Sequence, residues 1–469
     1  MTEQGLAFLS IGELGRRLRT GELSPLVLAE NCLERLERLG PRYNAVVTVT
    51  RERALAQAGR AAEELAAGRE RGPLHGIPYG AKDLLSTSGD IPTTWGFAPL
   101  QDQKFDEDAA VIEKLEAAGA VLAAKLSMVE LAGGLGYDQP NAAFTGPGIN
   151  PWNECAWSGG SSCGPGAAVA AGLVPFAIGT ETNGSITSPS AMCGISGLRP
   201  GFGRVSRRGA MALSWTLDKI GPMTRSARDC GLVLEAISGA DPEEASTLPD
   251  PFRIDTAASP PGGKWRLAVL HDATETDQPE VRENFLAALD LLREVAEIEQ
   301  VELPPHPYTE TALTIMYAEA GAAFAEFWER GWAGQLAAQE TRGMALATQT
   351  IPAVEYINAL RLRQRLHREL GRWLAPYDAV VTPTLKKVAP GLEERFSSYF
   401  GAYRRLPITV AGNLLGWPCI TVPNGFGERG LPTAIQFVGK PLSENTVLAI
   451  AASFQQRTDW HLRRPPDCG

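Results

Sequence analysis

Histidine is scarce in this chain: there are five in 469 residues, at positions 75, 271, 306, 367 and 461. Hydroxyls are poor nucleophiles without a base in hydrogen-bond reach, and the usual base is therefore in short supply. Cysteine is sparse as well. The seven cysteines form no C-x-x-C pair, and their odd number and spacing do not make a disulfide framework. Histidine and cysteine this thinly spread point to no metal site. No run of about 18 apolar residues occurs, so no membrane-spanning helix is expected. Net basic charge is lacking too, at −10, which argues against nucleic acid or an anionic membrane as partner. The opening MTEQGLAFLSIGELGRRLRT has no basic segment followed by an apolar one, so it does not read as a signal peptide, and a reducing cytoplasm is the expected location. Neither G-x-x-x-x-G-K-[ST] nor a glycine fingerprint between strand and helix is present, so no nucleotide or other cofactor is expected.

What the chain has in abundance is glycine and serine in one stretch, Trp157 to Gly197. Two small-residue loops, GGSSCG (Gly159–Gly164) and ETNGS (Glu181–Ser185), flank an apolar run, Ala167–Ile178. Glycine clusters let backbone approach a ligand in conformations that a Cβ forbids. Two such loops presenting serines point to a site where N–H groups and hydroxyls converge.

Around that stretch the pattern alternates helix and strand. Residues 1–70 read as helical packing elements. Ser24-Pro25 caps a helix with Leu28, Cys32, Leu36 and Leu39 on one face, and Ala45–Val49 reads as a short strand. Residues 72–85, GPLHGIPYGAKDLL, are extended and end in Lys82-Asp83. Asp108 is placed as the cap of a helix bearing Val111, Ile112 and Leu115, followed by a buried strand at Ala120–Ala124. Met128 to Pro151 is a long Gly/Asn/Pro-rich connection, the kind of segment that is often functional. Later come a strand at Arg266–Leu270, a helix with the period Phe285, Leu289, Leu292 and Val295, and a helical region at about 285–376 that reads as a cap or insertion. Strands at Tyr377–Thr382, Cys419–Val422 and Thr433–Val438 and a helix from Glu444 complete the chain. Interleaved elements without repeats or a linker predict a single large α/β domain over 1–469, with a mixed, twisted central sheet flanked by helices.

Residues 160–164 satisfy the nucleophile-elbow pattern G-x-S-x-G, but NPWNECAWSG before them is not strand-like, which argues against a Ser-His-Asp hydrolase. A base other than histidine remains. A desolvated lysine loses its proton readily, and a neutral amine can activate a serine, as in Ser-Lys acyl transfer.

The stretch GGSSCGPGAAVAAGLVPFAIGTETNGSITSPSAMCGISGLRP resembles the signature of the amidase signature enzymes. GIPYGAKDLL, AKLSMVELAGG, NPWN, LDKIGPM and GLPTAIQFVG match further family segments in order, over about residues 10–463, and the match is weakest at 300–376. The resemblance implies that Lys82 is the buried base, Ser161 the relay serine behind a cis peptide bond, and Ser185 the nucleophile. Ser185 stands 24 residues after Ser161, the family's spacing. It also implies an oxyanion hole from the backbone N–H groups of Thr182, Asn183, Gly184 and Ser185. Ala132, Gly133 and Gly134 fall where the family lines the substrate entrance, and Tyr137, Phe144, Trp157 and Trp215 are further candidates for touching substrate.

The sequence departs from the family in three places. Cys163 replaces a glycine of GGSSGG, and ETNGS replaces DTGGS. Thr187 stands where many members carry arginine. Asn183 is expected to keep the backbone of the hole because asparagine tolerates positive φ, and Glu181 is expected to be structural. The implied activity is hydrolysis of non-peptide carboxylic amides, with esters, anilides or carbamates as side substrates, by a monomer or homodimer acting on a small molecule. The alternative is one component of an amidotransferase, releasing ammonia from glutamine for tRNA-dependent amidation.

Overall fold

The computed structural model describes residues 3–255, 258–260, 262–338, 346–399, 406–466 and 468. An 11-stranded sheet runs through the molecule. From edge to edge its strands are Val46–Val49, Val121–Leu126, Pro78–Lys82, Phe176–Glu181, Lys219–Thr224, Ser196–Arg199, Cys419–Phe426, Pro432–Gly439, Ala379–Pro383, Trp265–Leu270 and Ala296–Val301. Parallel pairs sit toward both ends, and the middle, from Phe176–Glu181 to Ala379–Pro383, is antiparallel. The sheet is therefore mixed, within a single α/β domain.

Side chains alternate across a strand, so successive residues enter different cores. Leu122, Phe176 and Ile178 join Val111, Val233 and Leu234 on one face. Val121, Ala123 and Ala177 join Leu33, Leu36 and Val169 on the other. Both faces are covered, which is why these strands read as continuous apolar runs in the sequence.

The N-terminal helices form as expected. Ser24 caps Pro25–Leu39 by accepting from the N–H of Leu26, and Ser226 caps Ala227–Ile237 by accepting from that of Asp229. Other local expectations are corrected. Asp108 does not cap Ala110–Ala117; it accepts from the N–H of Ser88 and pairs with Arg53, so long-range charge won over the local cap. The residues before GGSS do form a strand, Asn153–Trp157, paired with Ile149–Asn150 in a small separate sheet. Val295 lies beyond the helix Pro279–Leu292. The stretch 285–376 holds helices Tyr308–Ala323, Ala325–Glu329 and Ala353–Leu374, and also contributes the edge strand Ala296–Val301. That strand is half polar (AEIEQV), which hid it from a reading of apolar runs. Part of the helical region, 339–345, lies outside the described residues. Among the described residues no helix is long and apolar enough to cross a membrane.

Candidate active site

The strand Pro78–Lys82 ends at a lysine with no exposed surface. Lys82 Nζ donates to Ser161 Oγ at 2.8 Å and to Thr180 Oγ1 at 2.9 Å. Three segments thus meet at one amine: the end of that strand, the loop before the helix Cys163–Ala170, and the strand Phe176–Glu181. Burial pulls Lys82 down to about 7, only partly opposed by Cys163, Asp218 and Glu181. The peptide bond Gly160–Ser161 is cis. Glycine is required on its N-terminal side for space. A Cβ on Gly160 would lie 2.7 Å from the Trp157 ring, and one on Gly159, at φ +88°, would lie 2.6 Å from the Pro189 backbone. Cys163 opens the following helix, fully buried, with its thiol pushed up by burial.

The second loop links Phe176–Glu181 to the helix Thr187–Cys193. Glu181 ties the two ends together. Its Oε2 accepts from the N–H groups of Ile186 at 2.8 Å and Thr187 at 2.9 Å and from the Thr187 hydroxyl, and its Oε1 pairs with Arg199 at 3.0 Å. Burial alone would raise this carboxyl, but Arg199, the backbone donors and the nearby Lys219 hold it at about 2. Thr187, at the position of the family's arginine, therefore serves the loop's own closure.

Within that closed turn, among the described residues, no hydrogen bond takes up the N–H groups of Thr182, Asn183, Gly184 or Ser185. The positive φ, +97°, falls at Gly184 and not at Asn183, correcting the expectation for the asparagine. Ser185 is half-buried, and the Oδ1 of Asn183 is buried without a partner. A closed loop with unspent N–H groups beside a serine can receive negative charge on an oxygen. Glu181→Ala is expected to lower stability by about 3–5 kcal/mol, since it leaves Arg199 buried without its carboxylate. Chemical denaturation of the two proteins checks this.

A cleft of about 410 Å³ opens beside these loops, and Thr180 and Thr182 line it. Its apolar wall includes Leu84, Met211, Leu213 and Ile220, with Trp215, half exposed, also part of its lining, while Asp218, Lys219, Arg207, Arg208, Glu243 and Glu244 give it a charged side. Of the residues expected to touch substrate, Ala132 and Trp215 line this cleft. Gly134 faces Phe324 and Leu213, whereas Gly133 faces the ring of Tyr137. Tyr137 and Trp157 pack with Phe396 in an aromatic cluster, with ring centroids 4.7–6.3 Å apart, and neither lines the cleft.

The Amidase family model matches residues 27–448. The chain belongs to the amidase family. Over 497 aligned residues, 99% of this chain and 99% of the relative, this amidase-family protein is 36% identical to a glutamyl-tRNA(Gln) amidotransferase subunit of Chloroflexus aggregans. Among solved structures, the peptide amidase of Stenotrophomonas maltophilia superposes with a TM-score of 0.84 at 31% identity, covering 97% of this chain and 98% of that one. The corresponding glutamyl-tRNA(Gln) amidotransferase subunit of Thermotoga maritima gives 0.77 at 29% identity, covering 97% and 95%.

Three residues of this amidase-family site escaped the sequence reading: Thr180, Asp218 and Lys219. Thr182 Oγ1 donates to Asp218 Oδ1 at 2.6 Å, and Lys219 Nζ reaches the carbonyl of Thr182. A signal for them existed. A hydroxyl in the apolar strand FAIGTE and a charge pair leading into KIGPMT are out of place in buried strands unless they have partners. The arginines between 199 and 208 are tied into ion pairs, with Glu181 at Arg199, Glu444 at Arg204, Glu244 at Arg207, and Asp241 at Arg208.

Proposed function

We propose that this chain hydrolyses carboxamide C–N bonds through an acyl-enzyme on Ser185. The observation that supports this reading is the buried Lys82 amine held 2.8 Å from Ser161 Oγ. With the amine neutral, Ser161 gives its proton to Lys82 Nζ and takes the proton of Ser185 Oγ, which bonds to the substrate carbonyl carbon. The carbonyl electron pair moves to oxygen, where the free N–H groups of the 183–185 turn receive it. As the C–N bond breaks, the proton returns through Ser161 to the leaving nitrogen. Water then releases the acid by the same relay. The reacting groups are all supplied by the chain, and the scheme calls for no metal or cofactor.

The apolar side of the cleft, with Leu84, Met211, Leu213, Trp215 and Ile220, supports an aryl or alkyl group on the substrate, and the charged side, with Arg207, Arg208, Glu243 and Glu244, leaves room for a polar end. Trp215→Ala is expected to raise KM for an aryl amide about tenfold, with little change for acetamide, because a pocket contact is worth about 1–3 kcal/mol. Steady-state kinetics on the two substrates check it.

A second reading is favoured by the relatives named as glutamyl-tRNA(Gln) amidotransferase subunits, at 36% identity over nearly the full length of both chains. In that reading the same chemistry on glutamine supplies ammonia to partner proteins, and the chain works within a complex. The deciding experiment gives the pure chain a panel of aliphatic, aryl, anilide and carbamate substrates alongside glutamine. Turnover of simple amides without partners supports the free-standing hydrolase. Activity confined to glutamine and dependent on copurifying proteins supports the amidotransferase, and no turnover of any amide in either setting overturns both.

A further inference from the structure

We infer that Lys219 is a positioning residue, which acts through Thr182 to aim the backbone donors of the loop that carries Ser185. Lys219 begins the strand Lys219–Thr224, stands opposite Glu181 in the antiparallel ladder, and is only 2% exposed. Its Nζ donates to the carbonyl of Thr182 at 3.4 Å and to that of Asn413 at 3.3 Å. Asn413 is itself fixed, in the helix Pro407–Leu414, where its Nδ2 donates to the carbonyl of Thr409.

The preceding residue grips Thr182 from another side. Asp218 Oδ1 accepts from the Thr182 hydroxyl at 2.6 Å, while its Oδ2 accepts from the N–H groups of Leu213 at 2.8 Å and Ser214 at 2.9 Å. Two neighbouring side chains thus hold both the carbonyl and the hydroxyl of the first residue of the turn. A trans peptide is planar, with its carbonyl and the following N–H on opposite sides. Holding the Thr182 carbonyl toward Lys219 turns the Asn183 N–H the other way, and that N–H is among those of the turn that no hydrogen bond takes up among the described residues.

Packing alone does not account for a lysine here. An apolar side chain of similar length would fill the space without desolvating an amine, a change that is often neutral or stabilising. Lys219 adds to the charge that holds Glu181 down, but the direct partners of that carboxylate are Arg199 on one oxygen and backbone groups on the other. Its two donated bonds go instead to backbone carbonyls. Burial also lowers its proton affinity strongly, and an amine donates through N–H in either protonation state.

This inference rests on the Ser185 reading above, and the test separates the two. Lys219→Met, Lys219→Gln and Ser185→Ala are compared in the full chain for kcat and KM on one amide, for affinity toward benzeneboronic acid, which forms a tetrahedral adduct with an active serine, and for melting temperature. Lys219→Met is expected to lower kcat about 10- to 100-fold with KM within a factor of about three, less than the loss of a direct oxyanion donor. Boronate affinity falls in parallel, melting is unchanged or raised, and Lys219→Gln, which retains an N–H donor, recovers part of the loss. Wild-type kcat in Lys219→Met, a change in KM alone, or a kcat loss that follows a lowered melting temperature overturns the inference. If Ser185→Ala keeps its activity, the underlying reading falls; if Ser185→Ala is dead while Lys219→Met is normal, only the role of Lys219 falls.

Discussion

Ser185→Ala is expected to lower amide turnover by about 10⁴- to 10⁶-fold, the range seen when a nucleophile is removed from a set of residues that act as one unit. The serine stands at the end of a turn closed by Glu181 and Arg199, with Gly184 at φ +97° before it and, after Ile186, the helix Thr187–Cys193. Nothing in that closure depends on the hydroxyl, so the variant folds and its loss reads chemistry alone. Two measurements check it. Turnover is compared under identical conditions, and the intact mass is recorded after reaction with a slow activated ester. The wild type gains the acyl mass and the variant does not. A variant that keeps more than a few per cent of wild-type turnover, or one that still acquires the acyl group at a single site, sinks the assignment.

Lys82 carries the second large effect. Burial holds its amine at about 7, against an ordinary value of 10.5. The relay needs the neutral form, so kcat/KM is expected to rise about tenfold per pH unit below 7 and to level off above it. Lys82→Ala loses about 10²- to 10⁴-fold in kcat/KM, the usual size of general acid–base assistance, and loses this limb of the profile. A profile that is flat from pH 5 to 9 rules out a lysine base.

The same shift makes a statement about stability. Between pH 7 and 10.5 the unfolded chain holds one more proton than the folded chain at this residue, so stability rises with pH across that window. Below pH 7 the penalty of burying the amine is fully present. Lys82→Met removes that penalty and is expected to raise the melting temperature at pH 7, by an amount that shrinks as the pH approaches 10. Melting curves at three pH values check both sign and window.

Much of this was legible in the sequence because the residues concerned are constrained locally. Ser24-Pro25 announces its helix wherever it stands, and the apolar runs of strands buried on both faces are visible without knowledge of their neighbours. The Gly/Ser loops declare themselves because close backbone approach excludes a Cβ, as the positions of Gly159 and Gly160 bear out. Where tertiary partners compete, the local reading failed. Asp108 had the chemistry of a cap and went to Arg53 and Ser88. Asn183 suited positive φ, and the turn placed that conformation on Gly184. The strand Ala296–Val301 lies at a sheet edge, where polar residues meet solvent, and so carries no apolar signal.

By itself the sequence determined the α/β class and the two loops, because glycine and serine carry their constraints in their own chemistry; Lys82, Ser161 and Ser185 were singled out as base, relay and nucleophile by the resemblance of their segments to the amidase signature. Only the tertiary structure decided that Lys82 and Ser161, 79 residues apart, touch, and that Thr180 shares the same amine. It also decided that Tyr137 and Trp157 pack with Phe396 while Trp215 lines the cleft, and that Asp218 and Lys219 hydrogen-bond Thr182. The physical reason is the same in each case. A lysine's proton affinity and a backbone donor's direction are properties of the surroundings, and those surroundings come from strands distant in sequence and adjacent in one sheet.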